Sequence, residues 1–327
     1  MISERAKDII GESLVCDLTL PWMEDCEPKD KTLDRFRDAG FDFVSLTVGA
    51  DRTEPLKTIQ YIISETRRLR RSEHISIAGG VADIRRARTE GKTSVGFHFQ
   101  GTNPLAGDIN MVEVFYQLGV RHLLLSYNLR NMFADGCHER TDAGLSRKGL
   151  SLIERMNEVG MLIDCSHTGY RSSMDIIAAS CDPVIFSHVN VFGRKNHARN
   201  IKDEQIRACA ARGGLIGLTG VGMFLRDDNR ATVEALADHI EYVIDLVGAQ
   251  HVSLGLDFIY YEEVMYARYQ GNRETYPDGY PLPPWQCLAP ESLGKLVEAL
   301  VARGLPRRDI VGLLGENFLR VAELVWK

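Results

Sequence analysis

"MLIDCSH" (residues 161–167) is followed after a short interval by "PVIFSH" (residues 183–188). Each is a brief apolar run that stops on Ser-His, with the length of a strand and not of a helix. Near-continuous apolar runs of this kind are typical of parallel strands covered on both faces. If the two are neighbours in one sheet, His167 and His188 stand side by side at the same level. Imidazole is the usual nitrogen ligand of zinc-like ions, so the pair reads as a candidate metal site. One strand-end histidine is more often a hydrogen-bonded structural residue. Two on consecutive strands are less easily explained that way.

Similar runs occur at 13–20, 42–48, 93–100 and 122–128, then again at 215–221 and 252–257. Amphipathic patterns separate them, at 54–71, at 106–118 and at "LSRKGLSLIERMNEVG" (145–160), which has a Ser to start it and a Gly to stop it. Eight strands alternating with helices predict an α/β fold, a closed (β/α)8 TIM barrel, with an open doubly wound sheet as runner-up. At 327 residues the chain is long for one core, but barrels reach this length as one domain. No repeat, low-complexity tract or linker divides it. Residues 1–327 are therefore read as a single domain, with 286–327 forming helices packed on the barrel's outside.

Composition narrows the function. A net charge of −6 gives no reason to expect nucleic acid or an anionic membrane as partner. No stretch approaches the ~20 apolar residues that span a bilayer. The segment "MISERAKDIIGES" lacks the apolar run of a signal peptide. Seven cysteines, without CxxC metal spacing, fit reduced thiols in a cytoplasmic protein.

Chemistry in such barrels collects where strands end. The strand-end residues are Thr19, Gln100, Tyr127, Asn128, His167, His188, Thr219 and Asp257. Asp257, in "LGLDF", reads as a general base or metal ligand, the bland alternative being a loop carboxylate. Arg199, in "HARNIKDEQ", reads as a clamp for a substrate carboxylate. The long loop 128–146 carries Cys137 and Glu139, either of which can reach the mouth. His98 shares parity with Gln100 and sits one layer deeper, as a satisfied core histidine. His74, His122, His138, His197, His239 and His251 fall elsewhere on helices, loops or strand starts.

Taken together, "MNEVGMLIDCSHTG", "PVIFSHVNV", "RNIKDEQI", "HVSLGLDF" and "LLGENFLRV" resemble, in order and spacing, the membrane (renal) dipeptidase family of zinc-dependent barrel hydrolases. The likeness runs from about residue 90 to the C-terminus. It implies that His167 and His188 hold one of two zinc ions, together with a bridging Glu. It further implies that Arg199 binds the substrate's terminal carboxylate and that Asp257 takes part in proton transfer. The chain departs from the family pattern at the metals. Thr19 and Pro21 stand where His and Asp are expected, Gln100 stands for the bridging Glu, and Tyr127 stands for a substrate-contacting His.

The expectation is thus a metal-dependent hydrolase that cleaves an amide bond in a small carboxylate-bearing substrate. One zinc would sit on His167, His188 and Gln100, the second site being lost. Asp257 and Tyr127 would be catalytic, and Arg199, Asn128 and Glu139 would bind substrate. Cys137, Glu139 or Asp17 are candidates to complete the metal's ligands. A homodimer is compatible with the resemblance. The alternatives are a catalytically silent barrel that binds a small molecule or a protein, and a single-metal lyase or isomerase.

Overall fold

The computed structural model describes residues 2–273, 275–277 and 280–327. The apolar runs become strands β1 (Cys16–Pro21), β2 (Phe43–Ala50), β3 (Ile75–Ile77), β4 (Thr93–Gln100), β5 (Val120–Leu124), β6 (Leu162–Asp164), β7 (Ile185–Val189), β8 (Leu215–Leu218) and β9 (Val252–Leu254). All pair in parallel, in the order β1-β2-β4-β5-β6-β7-β8-β9. Past β9 the Asp257 N–H donates to the Thr19 carbonyl at 3.2 Å, and the Leu256 N–H donates to the Asp17 carboxylate at 3.1 Å. These bonds bring the last strand back to the first. The sheet is a nearly closed eight-stranded barrel wrapped by helices, as the alternation of runs predicts. Short β3, unforeseen in the sequence, pairs with the start of β4 on the side that β5 takes over further along.

Several strands stop earlier than their apolar runs. β5, β6 and β9 end at Leu124, Asp164 and Leu254, after which the chain leaves the ladder. Soon afterwards Asn128, His167 and Asp257 adopt left-handed backbone, with φ of 62°, 64° and 53°. Such φ values are uncommon without glycine and cost about 1–3 kcal/mol each, so the surrounding packing must impose them. All three are residues singled out above for chemistry.

Local signals set the helices. Ser146 Oγ accepts from the Gly149 N–H and begins helix Arg147–Val159, which ends on Gly160 at φ 85°. Of the pattern at 106–118 only Met111–Gln117 is helical, and a 3-10 turn, Asn103–Leu105, precedes it. The last helix, Asn317–Val325, covers the end of the barrel where the strands begin. Phe318 stacks on Phe43 at 5.5 Å, within an apolar cluster that also takes Cys16, Leu162, Ile185 and Leu215. Above this plug the barrel interior turns polar: Asp17, Ser45, Thr47, His98, His122, Asp164 and Ser187 are all buried. Buried polar groups must find partners, and their pairing governs the site above them.

Candidate active site

His167 and His188 meet at the mouth of the barrel, with their Nε2 atoms 2.9 Å apart. Their protons can be followed. Asn128 donates its amide N–H to the Thr275 carbonyl at 3.0 Å, which leaves its Oδ1 facing His167 Nδ1 at 2.6 Å. His167 therefore carries its proton on Nδ1 and presents an Nε2 lone pair. His188 Nδ1 has two hydroxyls in reach, Ser187 Oγ at 2.7 Å and Thr19 Oγ1 at 3.1 Å. It either accepts from Ser187 or donates to Thr19, whose own hydroxyl donates to the Leu18 carbonyl at 2.7 Å. In the first state His188 donates from Nε2 to His167. In the second, both Nε2 lone pairs point at a common place. Burial, reinforced by the Arg199 charge, pushes His188 down to about 3 and His167 well below the usual imidazole range. Both rings are thus neutral, the form that binds metal.

Other groups surround this pair. Tyr127 stacks on the His167 ring at 4.0 Å, and burial holds its phenol well above the usual range, so it remains a hydrogen-bond donor. Arg199 is 2 % exposed, donates from Nη2 to the His188 carbonyl at 3.0 Å, and leaves Nε without a partner among the described residues. Burial raises Asp257 to about 6, and the Arg199 charge partly offsets the rise. His167, Gln100, Tyr127, Asn128, Arg199 and Asp257 all line one cavity of about 550 Å³. His188 sits just beneath it.

Three candidates for completing a metal site take other roles. Asp17 accepts backbone N–H groups from Thr19 and Leu256. Cys137 lies with Sγ 3.5 Å from Asn128 Oδ1, and burial pushes its thiol up to about 11, which keeps it neutral. Glu139 accepts from the backbone of Arg130 and Arg140, holding its own loop, and is not part of the cavity wall. Among the described residues no group of three or more His, Cys, Asp or Glu gathers at one point.

Two parts of the site were not read from the sequence. Asp51, just past β2, accepts from the Thr102 N–H at 2.6 Å, the Tyr127 N–H at 2.9 Å and Asn131 Nδ2 at 3.1 Å. It ties the loops after β4 and β5 together and so places Tyr127. We expect Asp51→Ala to cost about 2–4 kcal/mol in urea unfolding, since these buried donors lose a charged acceptor; a change below about 0.5 kcal/mol would contradict that role. The second part is an apolar roof. Tyr261, Met265, Tyr276, Tyr280 and Trp285 line the cavity and pack mainly on one another, joined by Phe224. His138, placed away from the site by sequence reasoning, hydrogen-bonds Tyr280 at 2.8 Å, and His197 packs on the same ring at 5.2 Å. The aromatic density of "FIYYEEVMYARYQ" (258–270) was the available signal.

Residues 32–265 match the family described as membrane dipeptidase. The chain belongs to that family. It is 30% identical over 295 residues to dipeptidase verJ of Clonostachys rogersoniana, an alignment covering 88% of this chain and 69% of that protein. The chain spans about half the length of other curated relatives it matches. Among solved structures, an amidohydrolase from Pseudomonas aeruginosa superposes with a TM-score of 0.91 at 29% identity, covering 98% of this chain and 99% of that one. A second structure, described as the dipeptidase AC, a metallo peptidase, gives 0.76 at 20% identity over 96% and 99%, which shows the shared barrel. The family implies a divalent metal ion. In this chain the donor chemistry of His167 and His188 fits such an ion. The His167 and His188 nitrogens, at 2.9 Å, are near the ~3.3 Å that two Zn–N bonds of ~2.05 Å impose at a tetrahedral angle. Thr19 and Pro21, where the resemblance leads one to expect ligands of a second ion, offer no such donors, and Thr19 instead supports His188 from behind.

Proposed function

We propose that this chain hydrolyses the amide bond of a dipeptide or a related small amide with a free carboxylate, using one divalent ion, zinc being the favoured choice. The observation that carries this reading is the convergence of two neutral imidazoles at the floor of a cavity shared with a buried Arg and a half-buried carboxylate of raised pKa. His167 and His188 would hold the ion, with the Gln100 carbonyl as third ligand. Bound there, it supplies Lewis acidity toward the scissile carbonyl and toward water.

The chain's own groups account for the remaining chemistry. Arg199 pairs with the substrate's carboxylate and fixes the amide in the cavity. Asp257, ionised above about pH 6, accepts a proton from the attacking water as its oxygen bonds to the carbonyl carbon. The Tyr127 hydroxyl donates to the oxyanion that develops. Asp257 then passes the proton to the amine nitrogen as the C–N bond breaks, leaving a carboxylic acid and an amine. Asn128 keeps the His167 ring in its tautomer throughout. The aromatic roof excludes bulk water and favours an apolar side chain on the substrate.

Elemental analysis of protein purified without added metal or chelator tests the reading. One equivalent of a divalent ion per chain is expected, falling to none in His167→Ala or His188→Ala. A second equivalent in the unaltered protein would mean that other residues replace the family's lost ligands. No uptake even after incubation with zinc would remove the hydrolytic reading.

A further inference from the structure

Below the histidine pair a file of close polar contacts crosses the barrel interior. His122 Nδ1 faces Asp164 Oδ2 at 3.3 Å, an ion-pair distance, and neither atom has a well-formed hydrogen bond to any described residue. His122 Nε2 lies 2.9 Å from Ser45 Oγ, which lies 2.9 Å from His98 Nδ1. His98 Nε2 lies 2.9 Å from Thr47 Oγ1, and Gln100 Nε2 donates to that oxygen at 3.1 Å. The two imidazoles stack at 4.3 Å and 11°. Every member but Gln100, which opens on the cavity, is 3 % exposed or less.

The order of protons along this file follows from its two ends. At the lower end, Asp164 Oδ1 accepts the Ser166 and Ser187 N–H groups at 2.9 and 3.0 Å. Oδ2 is left to His122 alone, so His122 Nδ1 bears a proton, and in the neutral ring, on which the rest of the order depends, Nε2 offers a lone pair. Ser45 must then donate to His122 and accept from His98 Nδ1. His98 Nε2 in turn offers a lone pair, so Thr47 donates to it and accepts from whatever stands above. Above stands Gln100, and only its amide N–H can donate. Its carbonyl oxygen is thereby turned to the cavity.

We propose that Asp164, His122, Ser45, His98 and Thr47 form a directional relay that holds Gln100 with its oxygen, and never its amide nitrogen, toward the active site. The five act as positioning residues. What Gln100 meets is therefore a cation or an N–H or O–H donor. Under the hydrolytic reading, on which this last step rests, that is the divalent ion or the substrate's ammonium group. A carboxylate at position 100 has no proton to give Thr47. It would have to be protonated, or the whole file would have to reverse, which requires His122 to carry protons on both nitrogens. The relay thus also gives a physical reason why Gln, and not Glu, suits this barrel.

Nitrogen-15 NMR of histidine-labelled protein, without added metal, tests the relay directly. His98→Gln and His122→Gln assign the two signals by their loss. Both rings are expected as neutral Nδ1–H tautomers at pH 7. An Nε2–H tautomer at either ring, or an imidazolium at His122, would overturn the relay, whether or not the protein hydrolyses anything. Ser45→Ala supplies a second readout: it breaks the file and frees the amide, so zinc affinity in chelator competition should weaken about 10–100-fold, as when other groups that orient a ligand are lost. Unchanged zinc affinity in a folded Ser45→Ala would show that the relay does not control Gln100. If neither protein took up zinc while the tautomers were as stated, the relay would stand and the metal reading would fall.

Discussion

Asp257→Asn should lower kcat about 10²–10⁴-fold while leaving the protein more stable than before. The loss follows from removing the carboxylate that stands in the cavity beside His167 and Arg199 to take the water's proton. The gain follows from linkage. The Asp257 carboxyl is raised from 3.8 to about 6, chiefly by burial, so the folded state binds the proton more tightly than the unfolded state does. Such a group costs nothing below about pH 4, and its cost grows as pH rises through about 6. By pH 7 the full shift corresponds to about 2–3 kcal/mol, which the neutral amide avoids. The pH profile gives a second check. The kcat/KM of the unaltered protein should rise with pH through an apparent value near 6, because the base must be ionised, and this limb should vanish in Asp257→Asn. A variant that kept both its turnover and its acid limb would remove Asp257 from proton transfer.

Arg199→Ala should raise KM for carboxylate-bearing substrates about 10–100-fold, the worth of one or two charge-assisted hydrogen bonds formed away from bulk water. Arg199→Lys should not restore it, since an ammonium cannot reproduce a two-pronged contact from the same backbone position. The control is an amide substrate without a free carboxylate, for which the ratio of variant to parent kcat/KM should lie close to one. The variant carries a second signature. Arg199 holds the Asp257 carboxyl down, so its loss should move the acid limb upward from about 6. Equal penalties on charged and neutral substrates would show that Arg199 acts through the His188 carbonyl it supports, not through substrate.

The barrel and the histidine pair were legible because both are written locally. Each strand is an apolar run, and His167 and His188 end two of them. The roles of interior polar residues were not legible, because those roles depend on register. His122 begins its run in the sequence and looks peripheral. In the barrel β5 is offset against β4 so that His122 pairs with His98 in the ladder and stacks on its ring. Asp51 escaped notice because the Gly49-Ala50 step hides the end of β2, which runs on to Ala50. Glu139 attracted attention as a spare carboxylate near the mouth, yet its nearest N–H donors are in its own loop, and local bonds hold it there. The left-handed turns at Asn128, His167 and Asp257 carry no sequence mark at all. They arise a few residues past the ends of β5, β6 and β9, where the chain turns beside the cavity.

The roof over the cavity comes almost wholly from one stretch of chain, between β9 and the C-terminal helices, while the floor is shared among β1, β2, β4 and the segments that follow β5, β6 and β7. Floor and roof therefore answer to separate parts of the gene. Exchanging residues 259–287 as a block would redraw the walls that meet the substrate's side chain without disturbing a single bond of the Asp164-to-Gln100 file. A lineage of such barrels can diversify in what it accepts by editing one segment, provided the backbone carbonyl at position 275 that holds Asn128 is kept in place.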